Sequence, residues 1–233
     1  MLNELDNYSN IANNSIITNG IANLLGLPEA VVTSIPTVYK AYKQQRIFNF
    51  LKYADFTIDR ISVNDCNKIR KLVSSDEGKI LLCKYLEEAI AIDSEVARMA
   101  LAILFNDDPD FIFESHVKNI IFIAIKELDD RAINFYIDAH NKVHNYKIDG
   151  LPYERVVINS ESELLSESWT NEDIALLIGH FRKLNLLLPD PCSSSPYSSK
   201  DSTWLVEYGI SDTTKKISRL FQKAKEFSKD YNQ

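Results

Sequence analysis

The stretch from Asp108 to Leu128, DPDFIFESHVKNIIFIAIKEL, constrains the fold of this chain more than any other. Phe113, Val117, Ile120, Ile121, Ala124 and Leu128 recur at helical spacing, and Phe122, Ile123 and Ile125 fill the remaining faces. A one-sided stripe would leave most of these side chains in water, so the second half predicts a helix enclosed by other elements. Asp108 fits the N-cap and Pro109 the first helical position, where a missing N–H costs nothing. The run IIFIAI also reads as a buried strand, but the periodicity reaches back to Phe113 without a turn signal, which favours helix.

A chain of 233 residues, 45% hydrophobic, can bury the partners such a helix needs, as one large or two small domains. Six glycines, seven prolines and a charged fraction of 25% mark a folded protein. The net charge is −7, and residues 61–150 carry sixteen acids against eleven bases. No segment is basic enough for the phosphate neutralisation that dominates nucleic-acid affinity. Cys66, Cys83 and Cys192 are scattered and odd in number, which speaks against a disulfide framework or a zinc site and for a reducing compartment. The start, MLNELDNYSN, lacks the basic end and apolar run of a signal peptide. Asparagines and prolines interrupt residues 11–36, so no transmembrane segment is expected, and the expected location is cytoplasmic.

Ile11, Ile16, Ile17, Ile21, Leu24, Leu25 and Leu27, punctuated by Gly20 and Gly26, form an apolar N-terminal segment. Such segments more often pack on a core than reach outward, but Ile16, Ile17, Leu24 and Leu25 are the candidates for a partner-binding arm. Ser34 and Pro36 signal a helix over about 36–60, with a stripe of Ile47, Phe50 or Leu51, Ala54, Ile58 and Ile61. Lys40, Lys43, Gln44, Gln45 and Arg46 are expected to face water among Tyr39, Tyr42 and Phe48. A short helix is expected over 65–73, another from Asp76, one capped by Asp93 or Ser94, and one restarted by Asp129 and running to about Val143. Short links make these helices antiparallel neighbours in a bundle.

Composition changes near 145–152, where Gly150 and Pro152 mark a boundary. Beyond it Thr170 and Asp173 make a capping signature ahead of Ile174, Leu176, Leu177, Ile178, Phe181 and Leu184. LNLLLP reads as a strand, PDPCSSSPYSSKDS as a loop, TWLVEYGI as a second strand, and Ser211 caps a last helix. This is the order of a winged helix with 189–202 as the wing tip, although VVI at 156–158 is a rival partner for WLVEY. The fold expected is mainly α: an N-terminal segment plus helical bundle over 1–150, and a winged-helix-like subdomain with a small β-hairpin over 151–233.

Candidate chemistry is sparse. His140 and His144 sit four apart, the spacing of two metal ligands on a helix, with Asp138 and Asp149 as helpers. Asn141 occupies the place of the glutamate found in zinc proteases, so the pair more often simply closes a helix. Glu87–Glu88 and Asp107–Asp108–Asp110 have magnesium-binding composition, yet acidic turns ahead of helices are ordinarily caps. No GxGxxG, GxxxxGK or GxSxG occurs, and Cys83 among Leu81, Leu82 and Leu86 reads as buried. No catalytic set and no cofactor is expected. On a recognition helix over 171–184 the outward face would be Asn171, Glu172, Asp173, His180 and Lys183. Two acids at its N-terminal end repel DNA, so His180 and Lys183 are candidates for protein contact instead.

The runs EGKILLCKYLEEAIAIDSEVARMALAILFNDD (77–108), KELDDRAINFYIDA (126–139), IGHFRKLNLLLPD and TWLVEYGISDTTKKISRLFQ carry a resemblance. Across about 75–228 the order of elements resembles the Abi-alpha-like bacterial family associated with abortive-infection loci. The resemblance implies bacterial origin and a place in phage defence, and it brings no catalytic residues. The expected function is therefore a non-enzymatic interaction or regulatory protein with a protein partner and scope for self-association. A DNA-binding winged-helix regulator is the first alternative and a metal-dependent enzyme the second.

Overall fold

The structure, a computed structural model, describes residues 29–61, 75–143, 145–147, 149–159, 169–192 and 205–231. The chain divides into two compact units, Met1–Asn49 and Phe50–Gln233. The expected helix over 65–73 and the apolar segment 11–27 lie outside the described residues.

The first unit is described through the leading part of helix α1 (Glu29–Ile61). This helix starts before Pro36, which lies inside it and removes one rung of its hydrogen-bond ladder. Arg46, expected to face water, is buried instead. Its guanidinium lies 4.2 Å from the Tyr42 ring centre and donates to the Tyr42 hydroxyl, so the aromatic face replaces part of its hydration.

The second unit begins with the remainder of α1, which buries Phe50, Tyr53, Ala54 and Thr57. Helices α2 (Asp76–Ala91), α3 (Glu95–Phe105), α4 (Ser115–Glu127) and α5 (Asp130–Asn141) follow. The enclosed helix is α3, not the 108–128 stretch. Every residue from Val96 to Phe105 is buried, because Ala97, Ala100 and Ala102 let neighbouring elements close on each face. Helix α7 (Asp212–Tyr231) and helices α2, α4 and α5 all pack against it. By contrast α4 starts only at Ser115 and leaves Ile123 54% exposed. Asp108 does act as a cap, but of the single 3-10 turn Pro109–Phe111, accepting from the Asp110 N–H at 3.0 Å.

Local chemistry accounts for the boundaries. Ser94 accepts from the Ala97 N–H at 2.9 Å, and Asp129 from the Ala132 N–H at 2.7 Å. Arg98 is buried because its guanidinium donates to the Ile92 carbonyl at 2.9 Å, closing the end of α2. Asn106, just past α3, donates to the Ala54 carbonyl at 2.7 Å and to the Thr57 hydroxyl at 2.6 Å. These bonds tie the end of α3 to the inward face of α1. Rings add to the same core: Tyr85 meets Phe105 edge-on at 5.1 Å, and Tyr53 meets Tyr231 at 5.0 Å.

A small antiparallel sheet follows α5. Strand β2 (Glu154–Asn159) pairs with β3 (Leu205–Ile210) from Glu154↔Ile210 to Asn159↔Leu205, and the two-residue β1 (Asn145–Tyr146) lies on the other edge of β2. LVEY of the WLVEY run therefore meets VVI. Helix α6 (Asn171–Lys183) is inserted between the two strands. LNLLLP is not a strand, because its first residues close α6. Asn185 adopts φ +58°, its N–H donates to Arg182 at 3.1 Å, and the Leu186 N–H donates to Phe181 at 2.9 Å. That is a Schellman C-cap, and it leaves only Leu188 to bridge Gly209 on the free side of β3. Gly150, with φ +87°, lies in the turn between β1 and β2.

Tyr136 on α5 ties these pieces together. Its buried hydroxyl lies 3.0 Å from the Leu186 carbonyl and 3.1 Å from the Thr214 carbonyl, while Tyr208 donates to the Ala139 carbonyl at 2.7 Å. Tyr136→Phe keeps the ring and strips the donor from two buried acceptors. The expected cost is about 1–2 kcal/mol, read as a lower denaturant midpoint with an unchanged m-value. No described helix is long and apolar enough to cross a membrane.

Candidate functional site

The outer face of α6 carries one of the exposed large apolar side chains of the second unit, Leu176. Thr170 and Asp173 close a reciprocal capping box: Thr170 accepts from the Asp173 N–H at 3.1 Å, and Asp173 accepts from the Thr170 N–H at 3.2 Å. The Thr170 hydroxyl bond, then its backbone bond, hold the Asp173 carboxyl below the usual carboxylate range. Asp173 also faces Arg131 at 3.3 Å, so this residue, expected on the outward face, is committed to its own fold. Ile174, Ile178 and Phe181 point into the core. Phe181 stacks on Phe135 at 6.0 Å, which fixes the rotation of the helix.

That rotation turns Glu172, Ala175, Leu176, Gly179, Arg182 and Lys183 to solvent. Leu176 is 66% exposed although it belongs to the apolar run. Lys183 lies on this face as expected. His180 is half-buried at its edge, lining a cleft of about 340 Å³ with Arg131, Leu176 and Leu177. The signal for Leu176 was present in the sequence: it stands two residues from Ile174 and from Ile178, on the opposite side of a helix whose buried arc they define.

His140 occupies a second cleft, of about 370 Å³, between the end of α5 and the first turns of α7, beside Asn141, Asp212, Lys215, Ser218 and Arg219. Its Nδ1 lies 2.9 Å from the Tyr136 carbonyl, an acceptor, so Nδ1 carries the proton and Nε2 bears a lone pair. Nε2 is shielded from solvent and has no hydrogen-bond partner among the described residues. Burial lowers the pKa to about 4; the Tyr136 hydrogen bond works against the shift, and the Lys215 charge adds to it. The ring is therefore neutral at physiological pH.

The other sequence candidates are structural or lie elsewhere. His144, Ile16, Ile17, Leu24 and Leu25 fall outside the described residues. Asp138 pairs with Lys142 at 3.5 Å and Glu88 with Lys126 at 2.9 Å, while Asp108, nearly inaccessible, pairs with Lys223 at 2.6 Å. Among the described residues, no three of His, Cys, Asp or Glu converge as a cation cage. Cys83 and Cys192 are half-buried free thiols.

Three bases of α7, Lys215, Lys216 and Lys223, are likewise engaged. Lys215 holds Glu154 at 2.6 Å, and Lys216 donates to the Ile112 carbonyl at 2.8 Å. Lys223 also lies 5.4 Å from the Phe111 ring centre. Compared with known proteins, the chain matches no family model, no curated protein and no solved structure.

Proposed function

We propose that this chain is a non-enzymatic interaction protein that contacts another protein through the outer face of α6. The exposed Leu176, set between an acid and two bases on a helix anchored from behind, is the observation that carries the reading. A lone exposed leucine is ordinary. One at the centre of a rigid face beside Ala175 and Gly179 gives a partner backbone room to approach.

A winged-helix-like organisation of the C-terminal part is supported by chain order. Helix α5, strand β2, helix α6, the Leu188 bridge and strand β3 follow in turn, with β3 flanked by β2 on one side and Leu188 on the other. Protein is favoured over DNA for two reasons. The N-terminal end of α6, which would meet base edges, presents Glu172, and three lysines of α7 already serve internal partners. The phage-defence association comes from the sequence resemblance and adds a setting, not a residue.

Leu176→Asp tests the reading without threatening the fold, since an exposed substitution costs about 0.5 kcal/mol or less. Full-length protein is expected to retain a protein in affinity capture from bacterial lysate, and L176D is expected to lose it with an unchanged circular dichroism spectrum. Salt-sensitive binding of a labelled DNA duplex that survives L176D would overturn this in favour of the DNA-binding regulator.

A further inference from the structure

We propose that the partner of the α6 outer face is a second copy of this chain, with two α6 helices packed antiparallel about a two-fold axis. This rests on the protein-contact reading above and gives the partner a chemistry. Glu172, Leu176, Gly179 and Lys183 are all exposed, and at 100° per residue they fall within an arc of about 60°, spread along about 16 Å of helix.

In an antiparallel two-fold pair, residues equally far from the axis on either side face each other across the interface. One axis, midway between Leu177 and Ile178, sets Glu172 of each copy against Lys183 of the other. The same axis sets Leu176 against Gly179, so charge and shape complementarity coincide at one register without adjustment. Two carboxylate–ammonium pairs close the ends, and two leucine side chains lie over the bare backbone of two glycines. Shifting the axis by half a residue breaks both pairings. A parallel arrangement stacks glutamate on glutamate and lysine on lysine.

The groups concerned are free to do this. A Cβ added at Gly179 meets no atom within 4 Å, so the gap opens to solvent and not onto its own fold. Neither Glu172 nor Lys183 has an ion pair among the described residues, whereas Asp173 is held by Thr170 and Arg131 and is left out of the pairing. A single helix face is smaller than a standard stable interface, so the dimer is weak and concentration-dependent.

Sedimentation velocity of the full-length protein from about 1 to 300 µM, at low and high salt, reads the equilibrium directly. Reversible dimerisation that weakens with salt is expected. Glu172→Lys and Lys183→Glu alone each place like charges together twice per dimer and are expected to weaken it roughly tenfold or more. The double variant E172K/K183E is expected to restore it. That rescue has no origin in folding, because the double variant carries both charges in the wrong sense for the helix dipole.

A dimer in which the double variant is no tighter than the single ones overturns the register and the proposal. A monomer at every concentration overturns the proposal as well. If L176D still strips a captured protein from that monomer, the protein-contact reading stands with a different partner. If L176D changes nothing in either experiment, both fall.

Discussion

Gly209→Ala is expected to be among the most damaging small substitutions in the second unit, at about 2–4 kcal/mol and a melting temperature lower by roughly 5–15 °C. Alanine for glycine at an unstrained strand position ordinarily helps slightly, because it removes freedom from the unfolded chain. Here the added Cβ would stand 2.3 Å from Cε2 of Tyr153 and 2.7 Å from the carbonyl oxygen of Pro189. The tyrosine ring can swing away; the backbone oxygen cannot. Nor can Gly209 retreat, since it pairs with Arg155 on β2 and exchanges two 2.9 Å bonds with Leu188 on its other side. The double variant with Tyr153→Ala should recover only part of the loss. A differential scanning trace within two degrees of wild type would mean that β3 is not held between β2 and Leu188.

The same corner shows which features were legible in the sequence. Three helix starts were readable because capping is local: Ser94, Asp129 and Thr170 each accept from a backbone donor three residues ahead, whereas the starts of α1 and α4 were misplaced. The pairing of VVI with WLVEY was readable from composition as one of two options. What decided between them was the end of α6, where Asn185 takes up a left-handed turn and uses up the residues that LNLLLP needed for a strand. Asparagine tolerates that conformation, so the signal was present, but its meaning depended on where the helix stopped.

Enclosure was less legible. Residues 108–128 have the larger side chains, yet α3 is the helix surrounded on every face, because alanines and not isoleucines allow several neighbours to approach one axis. Burial of that kind is a property of the whole assembly. Arg46 illustrates the same limit, since an arginine among lysines and glutamines reads as solvated until an aromatic face is placed beneath it. Of the candidate contact residues, Lys183 lies on the exposed face and His180 at its edge. Leu176 at its centre was absorbed into the apolar run because side-chain type outweighed angular position, and Gly179 beside it was not singled out.

Stability is expected to fall as pH drops from about 6.5 to about 4, with His140 responsible for a distinct part of the loss. In the folded chain burial lowers the His140 pKa to about 4, below the ordinary value of about 6.5 that the unfolded chain restores. Between those values the unfolded state binds more protons, so stability rises with pH across the window and is fully present above it. Two and a half pH units correspond to at most about 3 kcal/mol, with most of it lost by pH 4. The physical origin is specific: Nδ1–H is committed to the Tyr136 carbonyl, and a proton on Nε2 would be buried without an acceptor, close to the Lys215 ammonium. Carboxylates titrate in the lower half of the same window, so the measurement must be differential. His140→Asn keeps a donor near the Nδ1 position and removes the titration. Urea midpoints for wild type and H140N, taken every half unit from pH 7.5 to 4, should converge or cross as the pH falls, because only the wild type pays the histidine's protonation. Parallel curves would mean that Nε2 reaches water or an acceptor in solution, and the cleft beside Lys215 and Arg219 would then be open to the depth of the imidazole.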